Sequence, residues 1–285
     1  MFYLEKIIAI IENREYQDAI NILAQNLQEQ GITFHCFWMD EGGLSLVKPE
    51  HLAGKACLWM TDVSELNNVL WEESHPVLAF LHERNRNQDF SNAKYACEKP
   101  WELDAIYMDR VYRRYHRIPW GILDTERCFV RETTPEDAEA FYEIYSEPSI
   151  TRYTEGLFPQ IEQERQYIND YIDKVYSFYD FGVWTILKKD TGEIIGRAGF
   201  SYREGFEDAE IGYVIGQPWQ RQGYAEEVCR AILEYGKQEL EFERVLAFIR
   251  PENKASLALS RKLGMQPARE AVIAGQRHLC FQLDL

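Results

Sequence analysis

The sequence predicts an α/β protein of two domains, and three observations carry that reading. Its 285 residues suit two ordinary cores better than one. Hydrophobic residues make up 46% of the chain and aromatic residues 14%, the composition of compact globular structure. The order of expected elements also changes near residue 118: helices and short apolar runs alternate before it, while consecutive strands bounded by helices follow it. The expected division is a smaller α/β domain over 1–117, a linker over 118–126 and a second domain over 127–285.

In the first domain "LEKIIAII" and "AINILAQNL" read as helices, "FHCFWM" and "ACLWMTD" as strands, "SELNNVLW" as a helix and "PVLAFLHE" as a strand. "ELDAIYMDRVYRRYH" closes the domain as a helix with an apolar face and a basic solvated face. Such alternation implies βαβ units and a largely parallel sheet. The opening residues are broken by charges and lack a cleavage site, so they read as an amphipathic helix rather than a signal peptide. No apolar run approaches a membrane span.

Composition narrows the function classes. Cys36, Cys57, Cys97, Cys128, Cys229 and Cys280 stand singly, without C-x-x-C pairs or metal-ligand spacing, which excludes a predicted metal site and suits a reducing cytoplasm. A formal net charge of −16 disfavours nucleic acid and favours encounter with cationic substrates. It leaves open whether the chain works as a monomer or an oligomer.

In the second domain "CFVR" reads as a strand. Thr134, Pro135 and Asp137 then cap a helix, and "IEQERQYINDYIDKVYSFY" forms another. "FGVWTILKK", "EIIGRAGFSY" and "AEIGYVIG" are strands, the first two joined at Asp190-Thr191-Gly192. A helix carrying Ala225, Val228, Cys229, Ile232 and Gly236 on one face, the strand "RVLAFIR", the helix "NKASLALSRKLG" stopped by Gly264, and a hairpin around Ala274-Gly275 complete it.

Two patterns bear on chemistry. Along "AEIGYVIG", Glu210 shares a face with Gly212, Val214 and Gly216, leaving space above the strand in which a partly desolvated carboxylate gains basicity. In "QPWQRQGYAEEV" a glycine after a strand opens a helix, aiming backbone N–H groups at an anion. A P-loop's Lys-Ser/Thr pair and the triple-glycine dinucleotide spacing are both missing.

Gln220-Arg221-Gln222-Gly223-Tyr224-Ala225, followed after the next strand by Asn253, Ser256 and Lys262-Leu263-Gly264-Met265, resembles the acyl-CoA motifs of the GNAT superfamily of N-acyltransferases. The resemblance covers about residues 127–285 and is strongest to the ribosomal-protein N-acetyltransferase branch. It implies an α+β fold with a mixed central sheet and a cytoplasmic transferase that moves an acetyl group from acetyl-CoA to a primary amine, on a small molecule or a protein N-terminus. It further implies that amides across Arg221–Ala225 hold the pyrophosphate and that Val214 and Gly216 bond the pantetheine arm. An amide near Val214 or Ile215 would polarise the thioester, with Asn253 helping to close the groove. Glu210 stands where several members place a general base. Ser260 stands where many carry a tyrosine that protonates the leaving thiolate, which leaves the general acid unassigned.

Acceptor specificity in such proteins comes from the segment "SITRYTEGLFPQ", whose Tyr153, Glu155 and Phe158 offer an aromatic and acidic mouth, and from the terminal hairpin with His278. The competing reading is a non-catalytic acyl-CoA sensor or scaffold of the same fold. The first domain has polar strand ends, Thr61-Asp62 and His82-Glu83, and faintly resembles a Rossmann-like or haloacid-dehalogenase-like sheet. It lacks the Asp-x-Asp pair of the latter, so its expected role is accessory.

Overall fold

The computed structural model describes residues 2–39 and 56–285, which divide after Ile118 into two compact units. The first unit contains β1 (Lys6–Ile11), α1 (Gln17–Glu29), β2 (Thr33–Trp38), β3 (Cys57–Thr61), α2 (Ser64–Glu72), β4 (Val77–Phe80), β5 (Tyr95–Cys97) and α3 (Ala105–Tyr115). All described strand pairs are parallel, in the order β2-β1-β3-β4-β5. That order is one of the common doubly wound arrangements. Helices cover both faces: Ile7, Ala9 and Ile11 pack in a cluster with α1 and α3 residues, whereas Ile8 and Ile10 pack with Leu66 and Leu70 of α2.

This placement corrects the expected helix over "LEKIIAII". Ile7, Ile8, Ala9, Ile10 and Ile11 are all buried in a central strand. A strand covered on both faces loses its alternation and reads as a continuous apolar run. Four isoleucines then favour strand over helix. The polar strand ends noted in the sequence form an internal knot. Asp62 accepts the Glu12 and Asn13 amides at 2.7 and 3.0 Å and the Asn13 side chain at 3.0 Å, and lies 3.1 Å from His82 Nε2. These bonds tie the chain after β1 to that after β3 and β4.

The second unit contains β6 (Gly121–Asp124), β7 (Cys128–Arg131), α4 (Ala138–Tyr145), α5 (Ile161–Tyr171), β8 (Val183–Lys188), β9 (Ile194–Ser201), β10 (Ala209–Ile215), α6 (Tyr224–Gln238), β11 (Arg244–Ile249), α7 (Lys254–Lys262), β12 (Gln266–Ile273) and β13 (Gln276–Asp284). Its eight strands run in the order β12-β13-β11-β10-β9-β8-β7-β6. The segment expected to be a linker thus contributes an edge strand, because β6 pairs antiparallel with β7. Trp120 and Ile122 belong to the core of this unit.

The mixed character of the sheet lies at its centre. β10 is antiparallel to β9 but parallel to β11, and the β10–β11 pairing extends only over Ala209/Val245 and Glu210/Leu246. Beyond Glu210 the two strands part, and the edge of β10 that faces β11 is open. α6 packs its apolar face of Val228, Cys229 and Ile232 in one cluster with Ile211 and Ile215. On the other face α4 approaches closely, so that a Cβ on Gly216 would stand 3.2 Å from Ile144.

Candidate active site

The parted strands open a cleft of about 760 Å³. Glu210, Gly212, Tyr213 and Val214 of β10, Phe248 of β11, and Asn253, Ser256 and Ser260 at and within α7 line it. So do Tyr153, Glu155 and Phe158 and the hairpin residue His278. The residues singled out by the sequence for base, acceptor and second-motif roles therefore come together around one space. Ile215, Gly216 and the loop from Gln220 to Ala225 lie outside that lining.

The loop has the geometry of an anion cradle. Gly223, at φ +89°, stands in the left-handed region that glycine adopts without strain, directly before α6, and Arg221 precedes it at φ 60°. No side chain caps α6, so its first-turn N–H groups have no intrahelical acceptor and point outward. Gln220 Nε2 is donated to Ile215 O at 2.9 Å, fastening the loop to the end of β10. Arg127, missed by the sequence reading, braces it from β7's entrance. It donates to Gln222 O at 3.0 Å, pairs with Glu227 at 2.6 Å, and lies 4.2 Å over the Tyr224 ring.

Backbone directions on β10 reassign the strand-like contacts. Gly216 N–H is donated to Ile195 O of β9 at 2.8 Å. Alternation along an antiparallel ladder turns the backbone groups of Val214, paired with Arg197, toward β9 as well. The groups facing the open edge are those of Tyr213 and the Ile215 N–H, Ile215 O being held by Gln220, so a strand-like ligand on that edge would meet these rather than Val214 and Gly216. Every second residue of a strand is equivalent in the sequence, and only the position of β11 decides which set is free.

Glu210 is buried, and one of its oxygens accepts from Arg203 Nε and Nη2 at 2.8 and 2.7 Å. Burial raises its pKa above the ordinary glutamate value, with Arg203 acting in the opposite direction. On the other face of β10, the Tyr213 hydroxyl donates to Ser256 Oγ at 2.9 Å, and burial pushes the phenol up to about 12. Asn253 caps α7 by accepting Ser256 N–H at 3.1 Å, while Ser260 donates to Leu257 O at 3.1 Å. The segment across the cleft is pinned: Phe158 N–H is donated to Glu164 at 3.1 Å, Phe158 O accepts from Tyr142, and Tyr153 donates to Glu252 O at 3.2 Å.

The family model for the acetyltransferase (GNAT) domain matches residues 127–266. The N-acetyltransferase YoaA of Bacillus subtilis, itself uncharacterised, is 36% identical over 149 residues, covering 51% of this chain and 82% of its own. The chain belongs to the GNAT acetyltransferase family. The ribosomal protein uS5-alanine N-acetyltransferase of Escherichia coli is 31% identical over 159 residues, covering 52% of this chain and 80% of that enzyme. Among solved structures, the ribosomal-protein-S5-alanine acetyltransferase of Vibrio fischeri superposes with a TM-score of 0.50 at 17% identity, covering 57% of this chain and 95% of that one. The ribosomal L7/L12 α-N-protein acetyltransferase RimL, in complex with coenzyme A, does so with a TM-score of 0.50 at 16% identity, covering 58% and 98%. The protein is thus a GNAT-type acetyltransferase, and enzymes of this family use acetyl-CoA. Among the described residues no helix is long and apolar enough to cross a membrane.

Proposed function

We propose that the second unit transfers the acetyl group of acetyl-CoA to a primary amine, borne by a small molecule or a protein N-terminus. One observation carries this reading: the edge of β10 is open beyond Glu210, and the loop over 216–223 that follows it, tied back to Ile215 by Gln220, leads to the uncapped N-terminus of α6. Together they form a groove with strand-like hydrogen-bonding groups along its length and N–H donors at its end. The amides of Arg221–Ala225 hold the pyrophosphate, which needs only N–H donors because it is not transferred. The Tyr213 backbone groups pair with the pantetheine arm. Bound there, acetyl-CoA supplies an activated acyl carbon and a thiolate leaving group.

The chain's own contribution is placement and proton handling. An amine nitrogen in the cleft attacks the thioester carbon, the C–N bond forms, the C–S bond breaks, and the nitrogen gives its proton to Glu210 through water. The Ile215 amide lies on the open edge where a polarised carbonyl oxygen would need a donor. Tyr213 and Ser256 provide hydroxyls on the side of β10 toward α6 and α7. The Tyr213 phenol, near 12, is a much weaker acid than an ordinary thiol at about 8.5, so it acts as a hydrogen-bond donor and the thiolate takes its proton from water.

The test is release of free thiol from acetyl-CoA with pooled primary amines, alongside calorimetric binding of CoA to Gln222→Glu. Gln222 is exposed, and the near-isosteric change adds a negative charge beside the pyrophosphate while giving up one bond, from its side-chain amide to Pro218 O at 2.7 Å. We expect acetyl transfer by the wild type and about fivefold weaker CoA binding by the variant, from repulsion of about 1 kcal/mol in a near-aqueous setting. CoA binding that is insensitive to this charge would place the cofactor elsewhere. CoA binding without acetyl transfer to any amine would favour the sensor reading.

A further inference from the structure

One wall of the cleft is made by Tyr145 of α4, Glu164 and Tyr167 of α5, Val183 of β8 and Arg197 of β9. Arg197 pairs with Val214 across the β9–β10 ladder, so its side chain emerges on the same face as Glu210 and Gly212. The guanidinium lies 5.0 Å from the centre of the Phe141 ring. Among the described residues no carboxylate stands within 4.0 Å of it. Glu164, on the same wall, accepts the Phe158 amide instead. The ionisable side chains around Arg197 are phenols, Tyr145 foremost, with Tyr167, Tyr171 and Tyr176.

Of the other arginines lining the cleft, Arg203 is ion-paired to Glu210 and Arg250 donates to the Arg152 carbonyl at 2.9 Å, whereas Arg197 is set against aromatic rings. A cation drawn out of bulk water without a counter-ion is costly, and phenols at neutral pH supply dipoles rather than charge. A guanidinium presents a planar fork of donors that matches a carboxylate in two parallel hydrogen bonds. Between Arg197 and Glu210 the floor is open at Gly212, where nothing lies within 4 Å of the position a Cβ would take, whereas Gly182 O occupies that position at its ladder partner Gly199.

We propose that Arg197 is the binding residue for an acidic group on the acceptor, so that the preferred substrate is a small amine that carries a carboxylate. The inference rests on the acetyl-transfer reading above and names the substrate class of that cleft. Along the strands, Arg197 stands two residues from Gly199, the partner of the open Gly212, and four from Ser201, the partner of Glu210. At about 3.4 Å per residue these steps are roughly 7 and 14 Å. An acceptor with its carboxylate on Arg197 and its amine over the glycine floor is therefore several bonds long, as in an ω-amino acid. The α4 and α5 side chains on the same wall leave the anionic end facing protein, which favours a small molecule over a continuing polypeptide.

The experiment uses the full chain saturated with CoA and then with acetyl-CoA. Calorimetry and kinetics compare a series of ω-amino carboxylates of increasing length with the matching ω-amino amides, and with acidic and neutral tripeptides. The expected result is that one length of amino carboxylate binds the CoA complex, and is acetylated, about 10- to 100-fold better than its amide, the effect of a charged hydrogen-bonded partner. In Arg197→Gln and Arg197→Lys that ratio should fall toward one while CoA affinity stays. Because the arginine lacks a counter-ion, the Gln variant should melt no lower than the wild type, and the carboxylate should raise the melting temperature of the wild type alone.

Equal binding of acid and amide, or no binding of any amino carboxylate to the CoA complex, overturns the proposal, as does a preference confined to the acidic tripeptide. A preference that survives in both variants overturns it too. Failure to bind CoA at all would instead count against the acetyl-transfer reading on which the proposal rests.

Discussion

Glu210 illustrates how two opposing effects set a side chain's chemistry. Burial disfavours its charged form, and the Arg203 guanidinium on one oxygen favours it; burial prevails, so the carboxyl holds its proton to higher pH than an ordinary glutamate near 4.3. The base form is lost as pH falls through this raised value, so the acidic limb of kcat/KM should lie above about 4.3. Glu210→Gln keeps size and removes basicity. Its turnover should fall ~10²-fold or more with CoA affinity nearly unchanged, and the acidic limb should vanish from the pH-rate profile. A Gln variant with wild-type turnover and the same limb would mean that the amine loses its proton to another group. The place of Glu210 in the cleft was legible from strand alternation, which puts it on one face with Gly212; the space expected over Gly216 is instead filled by Trp219 and Ile144. Arg203 and Arg197 were not, because their neighbours are set by which strand lies alongside, and no spacing in the sequence encodes that.

At the scale of elements, the capped helix after β7 was legible in Thr134, Pro135 and Asp137, and the structure shows why that signal is strong. Asp137 is buried, and it accepts two hydrogen bonds from Arg131 at 2.7 Å, the Thr134 amide at 3.0 Å and the Thr185 hydroxyl at 2.7 Å. A local cap thus doubles as the junction of β7, α4 and β8. Removing the carboxylate leaves Arg131 and two further donors without their acceptor, so Asp137→Ala should destabilise the second unit by about 3–5 kcal/mol, the scale for breaking a buried pair. Urea unfolding of the full chain, followed through both units, would read this as an earlier transition of the second unit only. A loss below about 1 kcal/mol would show that water replaces the cap. The strands were less legible where tertiary context decides. The run at β1 has no alternation because helices cover both its faces, and the backbone groups of β10 are free only where β11 departs.

On the scale of the whole molecule, each unit has its own sheet and its own core, with no strand or core residue in common. The boundary between them was nearly legible: the change in element order near 118 agrees with a division after Ile118. What composition hid was the nature of the next eight residues. "RIPWGILDTER" has the proline, glycine and charges of a linker, yet Trp120 and Ile122 are buried in the second core and the Trp120 amide is donated to Glu132 at 3.1 Å. Two fragments separate these views. Residues 119–285 retain β6 and every residue of that core, and should fold alone and bind CoA like the full chain. Residues 127–285 satisfy the family match but lose β6, expose the edge of β7 and unpack two large apolar side chains, a loss of about 3–6 kcal/mol at roughly 1.5–3 kcal/mol for each buried side chain. That is a large fraction of the total stability of an ordinary domain. The shorter fragment should therefore melt well below the longer one and associate through its bared strand. Equal melting temperatures for the two fragments would make residues 119–126 a linker after all, and failure of the longer one to fold would show that the second unit depends on the first.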